Sequence, residues 1–164
     1  CYIVAMPSHA TVTSPTATCS LAATLEAIGD RWTLLILRDL FRGVRRFEDL
    51  QRDLGIARNL LSNRLNKLID HEIVERQPYQ QRPVRHQYLL TAKGRDLSPA
   101  LIALMHWGDT WYAEEGPPTL LVHQTCGTPL DQTVHCSHCH QDIAAQQIAS
   151  RPGPGHTPHQ RNTP

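Results

Sequence analysis

The segment RFEDLQRDLGIARNLLSNRLNKLI, from Arg46 to Ile69, constrains the chain more than any other. Its first half places Phe47, Leu50 and Leu54 on one face at helical spacing, and Gly55 ends the pattern. Its second half puts Leu61, Leu65, Leu68 and Ile69 on a buried face. The segment therefore encodes two short amphipathic helices joined by a glycine turn. From Ile56 to Ile69 there is no acidic residue at all.

The flanking sequence completes a pattern. A short amphipathic helix is expected over Ser20–Ile28, ended by Gly29. Asp30 can cap the next helix, RWTLLILRDLF, whose core stripe is read as Trp32, Leu35, Ile36 and Leu40. After Ile69 come two β-type runs, IVERQPY and VRHQYLL. Between them QQRP is read as the turn, with Pro83 at an exposed tip or edge. TAKG closes the hairpin. One long helix is then expected from about Arg95 to Glu115, with Leu97, Leu101, Leu104, Met105, Gly108, Trp111 and Tyr112 on its apolar stripe, and EEGPP ends it. Two short helices across a Gly-containing turn, followed by a basic hairpin, are the layout of a winged helix-turn-helix. The fold class is mainly α with a small β-hairpin wing (α+β).

The chain's net charge of +1 conceals a strong polarity. Between Arg31 and Arg95 there are 14 Lys or Arg against 7 Asp or Glu; outside that span there are 2 against 8. A basic middle between acidic flanks fits a polyanionic partner, double-stranded DNA. The second helix of the pair has the matching outer face. Asn59, Ser62, Asn63 and Asn66 share one side, and Arg58, Arg64 and Lys67 add cations. Asn can bond adenine bidentately and Arg can bond guanine, while a carboxylate there would repel phosphate. The bland reading is a solvated surface face; the acid-free run, the helix pair and the basic hairpin together weigh against it. Gln80, Gln81, Arg82 and Arg85 would form the wing, touching phosphates or the minor groove. Arg45 and Arg46 either bind backbone phosphate or solubilise a loop.

A second cluster lies downstream, in VHQTCGTPLDQTVHCSHCHQDI (122–143). It holds three of the five cysteines and four of the ten histidines. His123-x2-Cys126 and Cys136-x2-Cys139 form two chelating arms that suit tetrahedral structural Zn²⁺ in a zinc-ribbon-like extension. His135, His138 and His140 are spares or replacements, and a ribbon without metal is the bland alternative. An odd cysteine count argues against a disulfide framework.

The residues now on the page resemble the HxlR family of bacterial winged helix-turn-helix regulators. The resemblance rests on Cys19, IGDRWTLLIL, RRFEDLQ, LSNRLNKL, PVRHQYLLTAKG and the Trp107-containing helix, and covers about Cys19 to Tyr112. It implies a homodimer on a pseudo-palindromic operator. It also implies an interface built by the first and last helices, here Leu21 to Ile28 and Leu101, Leu104, Trp107, Gly108 and Trp111. Cys19 matches a position where some members sense oxidants or electrophiles; a small buried or inert thiol is the alternative. Longer members carry a similar Cys-rich extension. One departure is Ala57. The family usually has Ser or another capping residue there, and alanine offers no side-chain oxygen to the first amides of the helix.

Four regions are expected: a disordered arm (1–18), a DNA-binding and dimerisation domain (19–115), the Cys/His extension (116–145) and a disordered tail (146–164). No internal repeat is evident. No run approaches the roughly 20 apolar residues of a membrane helix, and the start lacks the charged and apolar regions of a signal peptide, so a cytoplasmic location without a membrane partner is expected. Catalysis is not: HExxH, GxSxG and phosphate-loop patterns are absent, and no His-x-Glu precedes Cys136 to supply a deaminase acid/base. No small-molecule substrate is obligatory. Two rivals remain, a regulator sensing zinc at the Cys/His cluster and a zinc-containing protein-interaction module.

Overall fold

A computed structural model describes residues 19–155. The elements are α1 (Ser20–Ile28), α2 (Arg31–Phe41), α3 (Phe47–Leu54), α4 (Arg58–Asp70), β1 (Val74–Gln81), β2 (Val84–Leu90), α5 (Ala92–Arg95) and α6 (Ser98–Tyr112), then a single 3-10 turn at Ala145–Gln147. The expected arm at 1–18 lies outside the described residues, as do residues 156–164 of the expected tail.

Local chemistry sets the boundaries. The Asp30 carboxylate accepts from the Thr33 amide at 3.1 Å and caps α2. Gly55 adopts a left-handed conformation (φ 61°) that ends α3 and turns the chain toward α4, a conformation that costs other residues roughly 1–2 kcal/mol. The chain leaves α4 through Glu72, also left-handed (φ 56°), and the Ile73 amide donates to Leu68 O at 2.9 Å. Ile36, Leu37, Leu50, Leu61, Leu65 and Leu68 are completely buried, so α2, α3 and α4 form one core, to which Ile73 and Val74 anchor the hairpin. Leu37 and Thr33 are buried in that core as well; Trp32 packs against it half-buried, as read from the sequence, whereas Leu35 is half-buried without joining it. Asp39 is buried too, held through Oδ1 by Arg38 and Arg42 at 2.8 and 3.4 Å.

Two expectations about the second half need correction. β1 runs on through Gln80 and Gln81, so the wing turn is Arg82–Pro83 rather than all of QQRP. A bulge between Pro78 and Gln80 takes up the irregularity, because proline brings no amide to the ladder. The long last helix is also split. Thr91 caps the one-turn α5 by accepting from the Gly94 amide at 3.1 Å, and α6 starts only at Ser98, with Pro99 in its first turn. Gly94 packs so closely on the chain that a Cβ there would collide with Ile73 O.

The extension contains a structural repeat that the sequence reading missed. Residues 121–130 and 134–143 form the same turn twice, thirteen positions apart. The His123 amide donates to Thr128 O and the Gly127 amide to His123 O; likewise the Cys136 amide donates to Gln141 O and the His140 amide to Cys136 O. Val122 pairs with Pro129 as His135 pairs with Asp142. Gly127 (φ 72°) and His140 (φ 56°) hold the same left-handed position.

Candidate nucleic-acid interface

Helix α4 buries Leu61, Leu65 and Leu68, and this fixes what it presents outward. Arg58, Asn59, Asn63 and Asn66 are exposed; Ser62 and Lys67 are half-buried at the edges. The Arg58 guanidinium lies over the Phe47 ring at 5.0 Å, which orients it across the turn between α3 and α4. Asn59 Oδ1 accepts from the Leu60 amide at 2.8 Å, occupying an amide near the helix start. Ala57 stands at the N-cap without a side-chain bond, as its residue type dictates.

Arg64 also holds the fold together. Its Nε donates to Asp30 Oδ1 at 2.8 Å, pinning α4 to the start of α2. The Arg64 side chain is half-buried, with its Nε–H committed to this bond. Partial burial pushes the Asp30 carboxyl up, but hydrogen bonds from Thr33 and the Arg64 guanidinium outweigh it and hold the group below the ordinary aspartate value.

The hairpin places Gln81, Arg82 and Arg85 at its exposed end. Arg45 and Arg46 are tied to its base: the Tyr88 amide donates to Arg45 O at 2.8 Å, and Arg46 forms a bridge with Gln87. The Arg46 guanidinium stacks over Tyr79 at 4.9 Å. Both side chains stay exposed, beside an open groove shared with Asp49 and Arg52. Arg52 is committed to Asp49 and Asp53. Arg76 is a further exposed cation of the wing; surrounded by Glu75 and Gln77, it carried no distinguishing sequence signal.

A second surface is apolar. Helix α6 buries no residue completely. Leu97 and Leu101 pack on the core, whereas Leu104, Trp107, Trp111 and Tyr112 are 54–75% exposed. On α1, Leu21 and Leu25 are exposed as well. Between α2 and α6 lies an open groove of about 650 Å³, lined by Leu34, Phe41, Leu101, Leu104, Trp107 and Leu130 among others. Cys19 occupies the N-cap of α1 with its thiol exposed and no capping bond.

Each turn of the extension presents its own pair of soft donors. His123 Nδ1 lies 3.2 Å from Cys126 Sγ, and the Cys136 sulfur is hydrogen-bonded by the amides of Cys139 and His138 and by the Cys139 side chain. The Thr128 hydroxyl and amide hold the Cys126 thiol below its ordinary value, and those backbone amides do the same for Cys136. Among the described residues, no three His, Cys, Asp or Glu side chains stand together as a ready metal cluster. The two pairs are formed, but apart.

Comparison with known proteins agrees with this geometry. The sequence model of the HxlR-like helix-turn-helix family matches residues 27–116. The HTH-type transcriptional regulator Rv3095 of Mycobacterium tuberculosis is 49% identical over 137 residues, covering 83% of this chain and 87% of that protein. Among solved structures, PA1607, described as a transcription factor, superposes with a TM-score of 0.75 at 34% identity over 82% of this chain and 95% of its own. The redox regulator HypR in its oxidised form superposes with a TM-score of 0.53 at 31% identity, covering 56% of this chain and 96% of HypR. The chain belongs to the HxlR-like helix-turn-helix family, whose members are transcriptional regulators and not enzymes.

Proposed function

We propose that this regulator binds a two-fold-symmetric operator as a homodimer, with α4 in the major groove and the β1–β2 wing on the adjacent backbone. The carrying observation is the outer face of α4: exposed Asn59, Asn63, Asn66 and Arg58, free of carboxylates and flanked by the cations of the wing. A major groove about 12 Å wide accepts one such helix. The amide side chains read base edges, whereas Arg45, Arg46, Arg82 and Arg85 meet phosphates and set the register. The exposed stripes of α1 and α6 support the dimer. Four large apolar side chains left on one helix face are the kind of patch that a two-fold contact buries.

Cys19 is the proposed input. Its thiol is exposed at the N-cap of α1, beside the Leu21 and Leu25 stripe, and HypR, a structural neighbour, is a redox regulator. The Cys19 thiolate attacks the O–O bond of a peroxide, takes one oxygen to become a sulfenic acid, and releases water or an alcohol. The added polar group at the start of α1 shifts the dimer contact and weakens operator binding. Gel-shift titration of wild type and Cys19→Ser on operator DNA, with and without peroxide, tests this. Peroxide is expected to weaken the wild type alone; equal weakening of both proteins would remove Cys19 from the account.

A further inference from the structure

We propose that the two turns at 121–130 and 134–143 are the halves of one Zn²⁺ site, with His123, Cys126, Cys136 and Cys139 as its four ligands. The repeat itself selects them. When the two turns are aligned on their hydrogen bonds, His123 falls on Cys136 and Cys126 on Cys139. The ends of the two turns are aliphatic in both, Leu121 with Val134 and Leu130 with Ile143; between those ends the remaining equivalents differ: Val122 with His135, Gln124 with Ser137, Thr125 with His138, Gly127 with His140, Thr128 with Gln141, Pro129 with Asp142. One backbone built twice, alike between its aliphatic ends only where a soft donor stands, is an arrangement for two bidentate arms. A His/Cys3 donor set suits four-coordinate zinc.

Burial points the same way. From Glu114 to Ser150 no residue is buried, and only Leu121, Cys136 and Ile143 are even half-buried. Small segments that hold defined turns without a core of their own are commonly stabilised by a cross-link or a metal. The other histidines are placed elsewhere: His135 bonds Asp142 at 3.3 Å, and its ring lies against that of His140. The exposed stretch Asp131–Thr133 joins the turns, and a shared ion links the two donor pairs across it. Gln132 bonds Pro99 O at 2.9 Å, and Leu121 and Leu130 line the groove beside α6. Zinc closure therefore braces the helix on which the apolar stripe is carried. This inference does not depend on the DNA-binding proposal.

The test is metal analysis of the full chain, together with Co²⁺ titration followed by visible absorption and Zn²⁺ competition. One ion per chain with a tetrahedral thiolate–cobalt spectrum is expected. Cys136→Ser and His123→Ala should each weaken binding by at least about 100-fold, whereas His123→Cys and His138→Ala should keep it. The thermal melt of the helical core, monitored in each variant, confirms that the chain remains folded. The site is overturned if the wild type takes up no metal, if Cys136 and Cys139 are recovered joined as a disulfide instead, if His123→Ala binds like wild type, or if His138→Ala abolishes binding.

Discussion

At the scale of single residues, neighbouring polar side chains on one helix have separate roles. Asn63 is exposed and makes no side-chain hydrogen bond among the described residues, while Arg64, next in sequence, bonds Asp30. Asn63→Ala is expected to cost about 1–3 kcal/mol at one base position and to blur sequence preference, with the salt dependence of binding unchanged. Arg82→Ala should weaken binding to all sequences and lower the salt slope by about one. Affinities measured over a range of salt on matched and mismatched sites separate the two. The Asp30–Arg64 pair instead predicts a pH effect. The folded carboxyl ionises more readily than the unfolded one, so its contribution is complete above the ordinary aspartate value. It is lost as the pH falls through the lower, folded value. Melting temperature against pH should therefore fall less steeply below about pH 4 for Asp30→Asn than for wild type. This pair could not be read from the sequence. Periodicity assigns a residue to a face, but Arg64 sits at the margin of its face, and its partner lies 34 positions away on another helix.

At the scale of elements, punctuation residues made the fold legible. Gly29, Asp30 and Gly55 end or start helices through local chemistry, and the boundaries they mark were read correctly. The break between α5 and α6 was missed because the apolar stripe runs through it; Pro99 was the signal available, since proline favours the first turn of a helix. The repeat in the extension was hidden for another reason. Left-handed positions are normally marked by glycine, and the second turn has His140 where the first has Gly127. Two substitutions test the domain as built. Ala57→Ser supplies the missing cap of α4 and should stabilise the protein by about 0.5–2 kcal/mol in denaturant melts. Gly94→Ala should destabilise by about 1–3 kcal/mol, because its methyl would meet Ile73 O.

At the scale of the whole molecule, polarity organises the account. The helix-turn-helix and wing carry the cations, and α1 and α6 carry the exposed aliphatic and aromatic side chains. The charge asymmetry was legible because it is local in sequence. The division of the α6 stripe was not: Leu97 and Leu101 serve the core while Leu104, Trp107 and Trp111 remain uncovered, and their spacing is the same. Replacing Trp107 and Trp111 by Glu places charge where a two-fold contact would be dry. The expected result is a monomer by sedimentation, with the core melt retained. The central claim is that two copies set two α4 helices into successive turns of one DNA face. Hydroxyl-radical footprinting of the full chain on a site selected from genomic DNA tests this most directly. The account predicts two equivalent protected half-sites about 34 Å apart, centre to centre, related by a two-fold axis; a single protected half-site, or no protection on any selected fragment, would contradict it.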